Sequence, residues 1–300
     1  MRTFFWFLGL LLAGFAAMAL FAYPAWLLLH PHFDFPFHRI ASRVGMLALL
    51  IGFVSVARRL GLADRASLGY GIARRVFVRE FLVALALGVG LMLLVVVVML
   101  GMGLRIWRPE LELHAAGLAR LALQTLSSAL VVAFIEETFL RGAMYTGIAR
   151  ESGARSAIVL TALLYAATHF IARYHIPAEL VVPSSGLRMV EGTLQAFAAP
   201  LAIADAVAAL FAVGALLGAI RAATGHIATC IGLHAGWVWI MLFVREITAP
   251  DTTRPTSFLL SNFDGFVGWL VLIWTIAIAW PLYRFYVRRT RLLGPLDERA

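Results

Sequence analysis

The feature that most limits what this chain can become is the length of its apolar runs. The stretch from Leu94 through Val95, Val96, Val97, Val98 and Met99 to Leu100 is apolar on every side. A membrane barrel strand would alternate apolar and polar residues, so a barrel is excluded. A helix needs about 20 mostly apolar residues to cross a bilayer, and eight segments qualify, at approximately 4–29, 44–60, 80–104, 116–140, 155–172, 197–220, 226–244 and 264–286. The expected fold is an all-α polytopic membrane protein, with about eight transmembrane helices in one bundle and one membrane domain across residues 1–300. Composition agrees: 62% of residues are hydrophobic and 14% charged, against roughly 25% charged in a typical soluble protein.

A net charge of +9 invites a nucleic-acid reading, but there is no lysine and the arginines sit between apolar runs. The charge is topological, and no nucleic-acid partner is expected. Arg58, Arg59, Arg65, Arg74, Arg75 and Arg79 lie in one connection, and Arg284, Arg288, Arg289, Arg291 and Arg299 lie in the C-terminal tail. Both belong in the cytoplasm by the positive-inside rule, and eight crossings put the N-terminus there too. The opposite loops, near 30–43, 105–115, 173–196 and 245–263, are poorer in arginine. Absent lysine beside abundant alanine and arginine fits a GC-rich bacterial genome, so an integral protein of a bacterial inner membrane is expected. The first apolar stretch runs on through Trp26 to Leu29, past the usual 7–15-residue core of a signal peptide, and is read as a retained span. A single cysteine, Cys230, rules out an internal disulfide and a cysteine metal cluster.

Ionisable groups inside a membrane cost roughly 2.5–3.5 kcal/mol each at a helix centre, so each calls for a reason. The fourth span carries two adjacent carboxylates, Glu136 and Glu137, followed by Arg141. Glu137 and Arg141 are four apart and share a helix face, where they can pair. Glu136 is turned about 100° away and is left without that partner. If the turn Arg150-Glu151-Ser152-Gly153 closes a hairpin, Glu136 lies about 16 residues before it and His169 about 16 after it, hence at similar depth. The two side chains can then face each other. His234, in the seventh span, sits between Gly232 and Gly236, small residues that let a neighbouring helix approach closely. Gly214 and Gly218 give the sixth span a similar contact face.

An unpaired carboxylate and two imidazoles converging in a shielded space are the components of water activation. In that reading Glu136 takes the proton from water, while a histidine donates to the oxyanion and the leaving amine. Glu136, His169 and His234 also make a ligand set for a divalent metal such as zinc, with an open fourth position. The residues alone leave both readings open.

Other polar residues are read more plainly. His30, His32, Asp34 and His38, interleaved with prolines and phenylalanines, fit an interfacial aromatic belt better than a metal site. His226 opens the seventh span as an interfacial residue. Asp205 is read as a charge near the outer end of the sixth span, although its distance from Arg221 also allows it the depth of Glu136.

The motifs resemble the CPBP (Abi) family, which contains the type II CAAX prenyl proteases. Its hallmarks are Glu-Glu-x-x-x-Arg on one span, Phe-x-x-x-His on the next and a later His-x-x-x-Asn. The first is matched by Glu136, Glu137 and Arg141, the second by His169 with Tyr165 in place of Phe, and the third by His234 with Val238 in place of Asn. The resemblance covers roughly 115–245. It implies an intramembrane endopeptidase of glutamic or metallo type, with Glu136 as base, Glu137 and Arg141 as its support and the two histidines completing the site. It also implies a peptide or protein substrate, lipidated in the prenyl-processing branch and approached from the cytosolic side. Val238 cannot supply the hydrogen bond of an Asn; Thr229 or a water is the candidate replacement. The competing readings are a non-catalytic immunity or scaffold protein and a proton-coupled transporter.

Overall fold

The computed structural model describes residues 1–108, 114–171 and 174–293; Arg299, counted above in the basic tail, lies outside the described residues. The helices run α1 (Arg2–Leu29), α2 (Phe37–Arg59), α3 (Arg74–Gly101), α4 (Ala115–Glu137), α5 (Tyr145–Thr168), α6 (Ser185–Leu194), α7 (Ala204–Thr224), α8 (Ala228–Ile247) and α9 (Trp269–Leu293). Thr138–Met144 is a π-helical turn that joins α4 to α5 without a break. Together with their length and apolarity, these helices make the chain an integral membrane protein of all-α class.

Seven helical segments are long and apolar enough to cross a membrane, and the fourth, Ala115–Thr168, is 54 residues long. Straight, it would reach about 80 Å. Instead the chain turns back at Gly153, whose φ of 81° and ψ of 165° no other residue type adopts easily. The guanidinium carbon of Arg141 consequently lies 4.7 Å from the centre of the Tyr165 ring. The hairpin expected at residues 150–153 therefore forms, and the long segment supplies two of the eight expected passes. Its second arm ends at Thr168, short of the expected 172.

Other boundaries shift for physical reasons. The second helix starts at Phe37, behind Pro36, rather than near 44. Its first turns carry His38, Arg39, Ser42 and Arg43, which an apolar-run reading discards. The sixth expected span begins at Ala204 and ends on Gly225 in the left-handed conformation, whose N–H donates to the Arg221 carbonyl at 3.0 Å. Arg105–Trp107 and Thr248–Pro250 form a two-stranded antiparallel ribbon at one end of the bundle. Three-residue strands carry no readable period, which is why the sequence did not announce them.

The starts of α1 and α3, the 60–73 connection, the Gly153 turn, the 225–227 turn and the end of α9 meet at one end. The Met1 amine is 2.7 Å from Glu151, Arg150 donates to Ser67 Oγ at 2.8 Å, Ile227 N–H to the Gly69 carbonyl at 3.1 Å, and Arg289 to Glu80 at 2.7 Å. The arginines of 58–79 and of the last turns of α9 thus gather on one end, and the ribbon and α6 lie at the other.

Two glycine contacts set the centre. α8 packs backbone to backbone on α3, where a Cβ on Gly232 would stand 2.4 Å from the Phe81 carbonyl oxygen and one on Gly236 2.7 Å from that of Leu85. The expected contact face of α7 docks on α5, with Gly214 against Ala162. These approaches bring α4, α5, α7 and α8 close enough for short polar side chains to meet between them.

Candidate active site

Glu137 closes α4 and Arg141 lies one turn on, inside the π segment; both are fully buried. Arg141 Nη1 donates to Glu137 Oε1 at 2.9 Å, so the expected pair forms. Nη2 donates to the Gly214 carbonyl at 3.2 Å, which ties the pair to α7. Arg221 from α7 returns the tie by donating from Nε to the Arg141 carbonyl at 3.0 Å. A buried ion pair is tolerable when further hydrogen bonds satisfy its members, and removal of one member leaves a stranded charge. The π turn falls where α4 hands over to α5, a placement frequent at functional sites.

The histidines are each fixed through one nitrogen. His234 Nδ1 donates to Glu137 Oε1 at 2.8 Å, and His169 Nδ1 donates to the Tyr165 carbonyl at 2.7 Å. Carboxylate and carbonyl oxygens only accept, so both protons sit on Nδ1. In the neutral rings Nε2 is then a lone-pair acceptor. His234 Nε2 is buried without a partner, and so is Glu136 Oε2. His169 lies close enough to feel the charge of both Glu136 and His234. The Tyr165 ring lies between the histidines, 4.4 Å from His169 and 5.8 Å from His234, centre to centre.

The sequence placed both histidines toward Glu136. The structure instead turns His234 onto Glu137, because α8 is drawn in by Gly232 and Gly236 at the level of that carboxylate. Glu137 therefore serves two partners through Oε1 and leaves Oε2 unpartnered, while Glu136 makes no hydrogen bond among the described residues. Among the described residues no three His, Cys, Asp or Glu side chains are grouped to hold a metal ion.

A cavity of about 160 Å³ opens beside the histidines. At about 30 Å³ per water it has room for several solvent molecules or a few apolar side chains. His234, Val238, Met241 and Arg245, spaced four, three and four apart, line it from one face of α8. α7 contributes Leu210 and Val213, and Tyr165 and His169 stand at its inner end. At the other end Arg245 pairs with Asp264 at 3.5 Å. Val238 faces the cavity, as its spacing from His234 implies. Thr229 is fully buried at 3.5 Å from Thr224 Oγ1 and is not among the cavity's lining residues, so it is not the replacement donor considered from the sequence.

The residues set aside by the sequence fall as follows. Asp205 opens α7 and accepts a hydrogen bond from Ser261 at 3.4 Å, away from Glu136. His30 stacks near Trp26, and His38 lies against His175 with ring centres 4.0 Å apart. His226 departs from expectation: it is 3% exposed, under Glu80 and Arg221, rather than interfacial. The residue sequence reasoning missed is Arg221, whose position in the last turn of a span reads as an ordinary end-of-helix charge.

Residues 118–240 are Rce1-like: they match the family model described as Type II CAAX prenyl endopeptidase Rce1-like. No curated protein and no solved structure matches the chain. The matched segment holds both glutamates, Arg141, Tyr165, His169, His234 and Val238. The family it resembles is described as that of type II CAAX prenyl endopeptidases.

Proposed function

We propose, with the Rce1-like type II CAAX prenyl endopeptidase family as premise, that this protein hydrolyses a peptide bond in a membrane-associated, lipidated peptide through a glutamate-activated water. The observation that carries this reading is the unequal treatment of the two glutamates. Glu137 is held through Oε1 by both Arg141 and His234, its Oε2 unpartnered, whereas Glu136 makes no hydrogen bond among the described residues and lies near His169. In the reaction Glu136 accepts one proton of the water as its oxygen attacks the carbonyl carbon. The proton then passes to the leaving amine nitrogen as the C–N bond breaks. His234, whose Nε2 is a free acceptor, takes up or relays a proton, and the Glu137 carboxylate on its Nδ1–H steadies the imidazolium so formed. Arg141 holds Glu137 in place and does not touch the substrate.

The test is hydrolysis of a fluorogenic farnesyl-cysteine peptide by the purified protein in proteoliposomes. Turnover by the wild type and none by Glu136→Gln supports the reading; a wild type without turnover removes it. Val238 favours a second reading, an immunity or scaffold role without hydrolysis, which survives if Glu136→Gln keeps the biological phenotype. The arginine-rich end is assigned to the cytoplasm, and reporter fusions after residue 70 and near 185 should report opposite sides.

A further inference from the structure

The two imidazoles at the site present acceptors rather than donors, because each Nδ1–H is already given to an oxygen. A tetrahedral intermediate needs the opposite: donors aimed at the carbonyl oxygen as it gains charge. Val238, one turn beyond His234 on the cavity wall, has none to give. Thr275, also on that wall, spends its hydroxyl on the Val271 carbonyl at 2.7 Å. Arg245 stands at the far end, 11 residues and hence about 16 Å along α8 from His234, and is held by Asp264.

The indoles of Trp237 and Trp274 also line the cavity, but among these donors Tyr165 is the one whose ring lies against both His169 and His234. It lines the cavity at its inner end, and its hydroxyl makes no hydrogen bond to any described residue. The guanidinium of Arg141 lies 4.7 Å from the ring centre on one side, which with the His169 contact pins the ring. The phenol is thus a neutral O–H donor on a held ring, beside the acceptors that would activate water. We infer that the Tyr165 hydroxyl donates the hydrogen bond that stabilises the oxyanion, so that the side chain at 165 supplies what the side chain at 238 lacks. This rests on the hydrolase reading above. No bond to Tyr165 forms or breaks; the phenol keeps its proton and shares it with the oxyanion until the carbonyl is restored.

The experiment compares wild type, Tyr165→Phe, Val238→Asn and the double variant on the same farnesyl-cysteine peptide in proteoliposomes, with thermal unfolding followed in parallel. Tyr165→Phe should lower kcat by about 100-fold or more at nearly unchanged KM, the size of a lost oxyanion donor. Val238→Asn, placed on α8, should restore at least a tenth of the lost rate in the Phe background. A merely structural Tyr165 would shift unfolding and could not be rescued from a different helix. An active wild type whose kcat is unmoved by Tyr165→Phe overturns the assignment and leaves the hydrolase reading intact. A wild type without turnover removes both. If Tyr165→Phe fails to fold, fluorotyrosine at 165 replaces it: a stronger donor should move kcat, and an unchanged kcat counts against the role.

Discussion

Among the described residues, Glu137 with Arg141 and Glu80 with Arg289 are buried carboxylate–arginine pairs with a histidine nearby, and they differ in what surrounds the carboxylate. At the site, Glu137 holds Arg141 and His234 through Oε1, and Glu136 Oε2, Glu137 Oε2, Arg141 Nε and His234 Nε2 remain unpartnered. At the arginine-rich end, Glu80 receives Arg289 through two bonds of 2.7 and 3.0 Å and Arg79 through a third, with His226 beside it. There the carboxylate is saturated by its arginines, and α3 is clasped to α9. The lesson is that a buried charge pair inside a membrane protein marks cohesion as readily as chemistry. What separates the two here is the carboxylates: at the site a second one, Glu136, makes no hydrogen bond among the described residues, whereas Glu80 is bonded through both oxygens.

Four substitutions test that contrast. Glu136→Gln should remove activity by about 10³-fold or more while leaving unfolding unchanged, because it deletes a base that holds nothing together. Equal activity in the variant would merge the two clusters into one structural class. Glu137→Gln should cost both activity and about 3–5 kcal/mol of stability, since Arg141 loses its counterion in full burial; a thermal melt equal to that of wild type would contradict the bonding described. Glu80→Gln should cost less, about 1–3 kcal/mol, because Arg289 is partly exposed and can find water, and it should spare hydrolysis. Loss of turnover with an intact fold would make the second cluster functional after all.

The effect at His226 appears only below neutral pH. Burial, aided by the positive charge of Arg221 and opposed by Glu80, holds its imidazole down to about 4. The unfolded chain titrates near the ordinary value of about 6.5 and so binds a proton that the folded state refuses. Stability should therefore fall as pH drops from about 6.5 toward 4, by no more than about 1.4 kcal/mol per pH unit. His226→Gln should flatten that slope, measured as melting temperature against pH.

Much of this contrast was legible beforehand. Apolar run length gave the spans, since lipid sets helix length directly, and the spacing of Glu137 and Arg141 gave their pair. The hairpin was readable because Gly153 interrupts an otherwise continuous helix at nearly equal distance from Glu136 and His169. The choice of carboxylate by His234 was not, because it depends on how deeply Gly232 and Gly236 let α8 sink against α3, a distance no spacing rule contains. Nor was the burial of His226: a histidine at a helix start reads as exposed until Glu80, on another helix, is placed above it. The π turn at Thr138–Met144 was also hidden, since it leaves no compositional trace while closing i→i+5 rather than i→i+4 bonds.

Cys230 sits in the first turns of α8, fully enclosed, with Sγ directed at the Leu217 carbonyl at 3.4 Å. It is the chain's only thiol. A packed thiol of this kind is inert to reagents that need a solvated thiolate. The natural protein therefore serves as its own blank for site-directed labelling, and a spin label or dye placed on one introduced cysteine, at the rim beside Phe263 for instance, would report on that position alone without first rebuilding the core around residue 230.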